Sequence, residues 1–300
     1  MRKIADANAA EKDSLLAAFL NDSKCGQAFA SGAVRFRLHG LAAFSANPAL
    51  AKSARDLFER FYKPQFDAGA GYSAPGVKLA KGQLDRPAFV SAFARHNDLG
   101  VCPYCDGTLT PSRAEVDHFY PKSEYPFLAL LPENLVPACK GCNSIQVKGV
   151  QVPLEVGATN ETADWFHPYH RTADGDFRVE FLPPRMNDEP RQLRLTAIDP
   201  NHQARVKNLN GLLSLTEYWG NRLRHRMQAK IAALRTRRRN QKGRLDETGL
   251  REQLQDWAKE AAAGRRHLEF SILEEAWCRA AGDGDAQFLE ELLAVNNEPC

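Results

Sequence analysis

Four cysteines arranged in two pairs constrain this chain more than any other feature. Cys102 and Cys105 form one Cys-x-x-Cys step, Cys139 and Cys142 another, and each such turn aims two sulfurs at one point. Two of these turns close a tetrahedral coordination sphere, so the chain between them must fold back on itself. Zinc is the expected occupant, although a four-sulfur cage also holds iron and two disulfides would account for the pairs as well. The other cysteines, Cys25, Cys278 and Cys300, are scattered and odd in number, which suits reduced thiols in a cytoplasm.

The stretch between the two knuckles carries polar residues on short apolar runs. Asp117 and His118 are flanked by Val116, Phe119 and Tyr120; if that run is a strand, their side chains face opposite ways. Asn134 precedes Leu135 and Val136, a second candidate strand, and Asn143 follows the last knuckle cysteine, where a short helix would begin. Two strands and a helix pinned by zinc make a ββα unit.

At these residues the sequence resembles the HNH endonucleases of the four-cysteine subclass. The resemblance is carried by Val116-Asp117-His118-Phe119-Tyr120-Pro121-Lys122-Ser123, by Pro132-Glu133-Asn134-Leu135-Val136-Pro137, and by Phe166-His167-Pro168-Tyr169. It implies that Asp117 binds a catalytic metal, His118 is the general base, Asn134 holds the loop before the second strand, and Asn143 is the second metal ligand. The last position is more often His, but the HNH domain of RNA-guided CRISPR nucleases also uses Asn there. The likeness is closest to stand-alone HNH proteins of bacterial anti-phage systems, of the Septu type and their retron-associated relatives.

The residue types suit that chemistry. Phosphodiester hydrolysis needs a deprotonated water and relief of charge on the leaving oxygen. A neutral imidazole, with an ordinary pKa of about 6.5, serves the first need. A hard cation, Mg²⁺ or Mn²⁺, serves the second through oxygen ligands such as the Asp117 carboxylate and the Asn143 amide. Zinc held by four sulfurs has no position left for substrate. Lys122 and Lys148 flank the site and are candidates for phosphate contacts. The competing reading, a zinc-knuckle binding module without turnover, predicts that one of Asp117, His118, Asn134 or Asn143 is missing; all are present. DNA is the favoured substrate, with an RNA such as tRNA the alternative, because no aromatic RNA-binding sheet is visible. No Gly-x-x-x-x-Gly-Lys motif occurs, so ATP hydrolysis belongs to a partner, such as the ATPase of a defence complex.

The rest of the chain reads as scaffold. The expected fold class is mainly α with a small α+β core: residues 1–98 helical, 99–150 the ββα nuclease core, 151–195 a strand and loop extension, and 196–300 helical. Helical segments are expected near 11–20, 47–63 and 86–97, the last capped by Asp85 with Pro87 in its first turn. Residues 68–76 read as a flexible loop, and Phe177 to Phe181 as a strand. Trp219, Leu223, Met227, Ile231 and Leu234 follow the steps of one long amphipathic helix, with further helices over 249–263, 268–281 and 285–295. His167 and His170, flanking a Pro-Tyr turn, are expected to be structural. No signal peptide or membrane span is expected, which points to the cytoplasm.

Charge is concentrated. Ten basic residues and no acidic one lie between Arg222 and Arg244, leaving 30 basic against 37 acidic residues elsewhere. Cations so placed lack local neutralisation and suit a phosphate backbone or an acidic partner, so Arg237, Arg238 and Arg239 are expected to bind substrate.

Overall fold

Caps written into the sequence set the helix boundaries. α1 (Arg2–Ala5) precedes α2 (Ala9–Asp22), where Asn8 and Glu11 exchange backbone-to-side-chain hydrogen bonds of 3.0 and 2.9 Å in a reciprocal cap. After α3 (Cys25–Ala30), the Asn47 side chain accepts from Leu50 N–H at the start of α4 (Pro48–Asp67). Strands β1 (Tyr72–Ala74) and β2 (Val77–Leu79) pair antiparallel, so part of the stretch expected as a loop is a hairpin strand. α5 (Arg86–Asn97) opens as expected, Asp85 accepting from Ala88 N–H at 2.7 Å with Pro87 in the first turn. β3 (Glu115–His118) then pairs antiparallel with β4 (Leu135–Ala138), Glu115 opposite Ala138 and His118 opposite Leu135. From 139 to 150 the described backbone runs in hydrogen-bonded turns.

This computed structural model describes residues 2–31, 36–44, 46–67, 72–74, 77–79, 85–129, 131–144, 146–153, 162–182, 192–240, 246–284 and 286–297. They divide into two units: Met1–Asp174 with Lys207–Leu213, and Gly175–Val206 with Ser214–Cys300.

In the first unit, the N-terminal helices and the loop between β3 and β4 share one core. Ala18, Leu41, Phe44, Leu50 and Ala54 pack with Phe127 from that loop. The Phe127 ring meets Phe58 edge-on at 5.2 Å and Phe19 at 6.1 Å. Buried Asp22 fastens the chain nearby, its carboxylate accepting from His39 and Gly40 N–H, both at 2.8 Å. Gly40 has φ +51°, and a Cβ there would stand 2.7 Å from the Glu124 carbonyl, so a side chain is excluded on both counts.

In the second unit, β5 (Phe177–Phe181) and β6 (Leu193–Ala197) form an antiparallel pair, and Asp199 caps a short turn before α6 (Gln203–Leu213), of which residues 207–213 belong to the first unit. α7 (Leu215–Asn240) is the long amphipathic helix; its Trp219, Leu223, Met227, Ile231 and Leu234 are all buried. α8 (Glu247–Ala263), α9 (Ser271–Arg279) and α10 (Ala286–Asn297) complete the unit, with a π-helical turn over 280–284.

The basic stretch on α7 departs from the expectation of unneutralised charge. Arg226 pairs with Glu269 at 2.8 Å and also with Glu274, and Lys230 pairs with Glu274 at 3.3 Å while lying over the Trp257 ring. Arg235 donates to the Val295 carbonyl. The acids arrive from α9 and the turn before it, more than forty residues downstream of their partners, which is why the local sequence did not reveal them. Arg237 is exposed. The side chains of Arg238 and Arg239, together with Lys242 and Arg244, lie outside the described residues, as does Cys300.

Candidate active site

The four knuckle cysteines converge. Their sulfurs all lie within 4.8 Å of one another, and Cys105 Sγ stands 3.7 Å from Cys139 Sγ. Zinc–thiolate bonds of about 2.3 Å in a tetrahedron put sulfurs about 3.8 Å apart, whereas a disulfide needs about 2.05 Å. All four cysteines are free, which removes the disulfide alternative. Backbone amides already point at the sulfurs: Cys139 N–H donates to Cys102 Sγ at 3.3 Å and Cys142 N–H to Cys139 Sγ at 3.5 Å. Asp106, in the left-handed region at φ 58°, tightens the first turn. Neighbouring sulfurs hold the Cys139 thiol well below its ordinary pKa and push Cys105 and Cys142 above theirs. Four thiols this close cannot all ionise unless a cation joins them, and the cluster fits a structural zinc site.

Strand alternation sends Asp117 and His118 to opposite faces of β3. Asp117 is 4% exposed, and its Oδ2 accepts from the Tyr104 hydroxyl at 2.7 Å and pairs with Lys148 Nζ at 2.8 Å. Burial raises the carboxyl's pKa while Lys148 and Tyr104 pull it back; burial likewise lowers the Lys148 ammonium against the pull of Asp117. Lys148 is fully buried and also donates to the His118 carbonyl at 2.7 Å, tying the turn after the second knuckle to the end of β3. This corrects the expectation of Lys148 as a phosphate contact: its ammonium is enclosed and spent on two internal partners.

His118 is 9% exposed and packed edge-on against Tyr62, ring centroids 4.5 Å apart. Burial, and then the Lys122 charge, pull its pKa down to about 3, so the imidazole is neutral. Its Nε2 lies 3.3 Å from the Ala129 carbonyl. A carbonyl only accepts, so this contact assigns the proton to Nε2 and leaves the Nδ1 lone pair free.

Asn134, the last residue before β4, is buried. Its Oδ1 accepts from Tyr120 N–H at 2.7 Å, and its Nδ2 donates to the Tyr120 and Leu128 carbonyls at 3.1 and 3.0 Å. Asn143 is anchored by its backbone, N–H to the Cys139 carbonyl at 3.2 Å, and by its side chain, Nδ2 to Glu115 Oε2 at 2.6 Å.

A cleft of about 370 Å³ gathers three of these groups, and neither Asn134 nor Lys148 lines it. Asp117, His118 and Asn143 line it together with Glu115, Glu59, Tyr62, Arg86 and Lys122. Lys122 Nζ sits 4.8 Å over the Tyr62 ring, at the wall beside His118. Tyr104 and Glu115 escaped the sequence reading. Tyr104 hides between two cysteines that draw all the attention, whereas Glu115 was legible as the residue two before Asp117 on the same strand face. His167 is not among the residues that line the cleft; it is buried between Phe29 and Phe119 with ring centroids at 4.6 and 4.9 Å, and His170 Nε2 stands 3.6 Å from Glu133.

Among the described residues no helix is long and apolar enough to cross a membrane. A stretch of 68 residues is 38% identical to Protein ea31 of Escherichia phage lambda, covering 23% of this chain and 20% of that protein. The chain thus spans about a fifth of the length of that curated relative. No solved structure matches the chain. Residues 102–148, the segment that bears the cysteine cluster and the cleft residues from Glu115 to Asn143, match the family model described as HNH endonuclease, and its four cysteines are positioned for zinc.

Proposed function

We propose that the chain is a metal-dependent endonuclease that hydrolyses phosphodiester bonds in DNA. The observation that carries this reading is the meeting of Asp117, His118 and Asn143 on one cleft within the family match. His118 is the general base. Its imidazole stays neutral, and with Nε2–H turned to the Ala129 carbonyl it takes a proton from water through Nδ1. Asp117 and Asn143 offer a carboxylate and an amide oxygen, the donor types that hold Mg²⁺ or Mn²⁺. When bound, that cation supplies charge stabilisation to the phosphoryl group and its leaving oxygen. Asn134 keeps the loop between the strands closed beneath the site, and Lys122 gives the cleft a cation for phosphate. Arg237, Arg238 and Arg239, in the second unit, are assigned to binding the nucleic-acid backbone or a protein partner.

In the cell we assign the protein to bacterial anti-phage defence, as a cytoplasmic effector working with an ATPase partner. The support is the resemblance carried by residues 116–123, 132–137 and 166–169 to Septu-type and retron-associated proteins.

The deciding experiment incubates zinc-loaded protein with supercoiled plasmid DNA, and separately with tRNA, while Mg²⁺ or Mn²⁺ is varied. Cleavage of the DNA should require the added cation and fall roughly 10²–10⁴-fold in His118→Ala, the usual share of a general base. Cleavage that persists in EDTA-treated, zinc-retaining protein, or that is unchanged in His118→Ala, would refute the assignment. Preferential cleavage of tRNA would move the substrate to RNA.

A further inference from the structure

β3 presents two acidic side chains on one face, because residues two apart along a strand point the same way. Glu115 and Asp117 nonetheless meet different partners. Asp117 is enclosed by Tyr104 and Lys148, whereas Glu115 stands partly exposed at the cleft with its Oε2 on Asn143 Nδ2 at 2.6 Å. An asparagine amide has two unlike ends, one that donates and one that accepts, and a half-turn about its last bond exchanges them. A carboxylate only accepts. Contact with Glu115 therefore selects the orientation in which nitrogen faces the strand, and the hydrogen bond from Asn143 N–H to the Cys139 carbonyl holds the backbone in place. The amide oxygen is left as the end not committed to Glu115.

We propose that Glu115 is a positioning residue that fixes the Asn143 amide so that its oxygen, and not its NH₂ group, is presented to a divalent cation in the cleft. The inference rests on the metal-dependent reading given above and names the residue that makes a neutral amide a dependable ligand. Without Glu115 the two orientations become comparable, and the flipped one turns N–H hydrogens toward the cation. Residues that orient metal ligands in this way typically matter 10- to 100-fold for affinity.

The test is Mn²⁺ binding to the full-length, zinc-loaded protein, read from the loss of the free-Mn²⁺ paramagnetic resonance signal, with zinc content measured alongside. Glu115→Gln should weaken binding about 10- to 100-fold, because a glutamine amide pairs with either orientation of Asn143. In an Asn143→Ala background, Glu115→Gln should add nothing, since there is no amide left to orient. Losses that multiply in the double variant would show Glu115 touching the cation itself and overturn the proposal, as would wild-type affinity in Glu115→Gln. The exchange variant Glu115→Gln with Asn143→Asp restores a donor–acceptor pair of reversed sense. It should recover binding to within a few-fold of wild type even if a single variant loses zinc, and failure to recover would also count against the proposal. Wild-type protein that binds no Mn²⁺ beyond its zinc would overturn the metal-dependent reading along with this one, whereas normal wild-type binding with an insensitive Glu115 overturns this one alone.

Discussion

Replacing Lys148 with Met should destabilise the first unit far more than the loss of a surface lysine. Lys148 is 0% exposed, its Nζ lies 2.8 Å from Asp117 Oδ2 and 2.7 Å from the His118 carbonyl, and Asp117 is itself 4% exposed. Removing the cation leaves a buried carboxylate with only the Tyr104 hydroxyl as side-chain donor, and strands the His118 carbonyl as well. Breaking a buried pair from one side costs about 3–5 kcal/mol. At about 1.4 kcal/mol per factor of ten, amide exchange in β3 and β4 should accelerate by roughly two to nearly four orders of magnitude in Lys148→Met. The assay is hydrogen exchange followed by mass spectrometry on peptides spanning 115–118 and 135–138, with zinc kept saturating. Adding Asp117→Asn removes the uncompensated charge, so the double variant should regain more than half of the lost protection. A Lys148→Met protein whose strand protection stays within about 1 kcal/mol of wild type, below the range for breaking a buried pair, would refute the argument.

Three further outcomes follow from geometry already described. Elemental analysis should find one zinc per chain, and because a structural zinc contributes an apparent 10–16 kcal/mol or so, stripping it should unfold 102–148 while α7 to α10 keep their exchange protection. Asn134→Ala strands the Tyr120 N–H and two carbonyls, and chemical denaturation monitored in the first unit should show a loss of roughly 3 kcal/mol. His167 is buried neutral with its pKa well below the ordinary value, chiefly through burial. The unfolded chain therefore binds a proton that the folded chain refuses, and stability must fall as pH drops below about 6.5. His167→Phe, which preserves the ring contacts, should flatten that acid limb by up to about 1.4 kcal/mol per pH unit; an unchanged slope in pH-dependent denaturation would contradict this.

How much of this was legible in the sequence depends on how local each cause is. The cysteine spacing foretold the sulfur cluster because a Cys-x-x-Cys turn is geometry confined to four residues. Capping by Asp85 and the buried stripe of α7 were readable for the same reason. Lys148 was not. A lysine at the end of a motif reads as solvated charge, and only the return of the chain past β3 encloses it. The basic stretch failed by distance too, since Glu269 and Glu274 lie on the far side of α8 in sequence. Tyr72 to Ala74 pair within a glycine-rich window whose composition signals a loop, a case in which hairpin pairing overrides composition.

Tyr104 ties together two matters that are usually treated as separable, shaping a metal knuckle and fixing the Asp117 carboxylate at the cleft. It sits inside the first knuckle and donates its hydroxyl to Asp117, so the turn built around the sulfurs is also the clamp on the carboxylate. A substitution at any of the four cysteines therefore makes a poor inactive control, because it removes the fold and the alignment together. On the proposed function, the clean control is made at His118, whose imidazole can be deleted without touching a sulfur. If the chain turns over nucleic acid as proposed, the mutations that abolish folding and those that abolish turnover form overlapping sets in this segment, and random mutagenesis should yield few folded but inactive variants from the knuckles and more from the cleft wall.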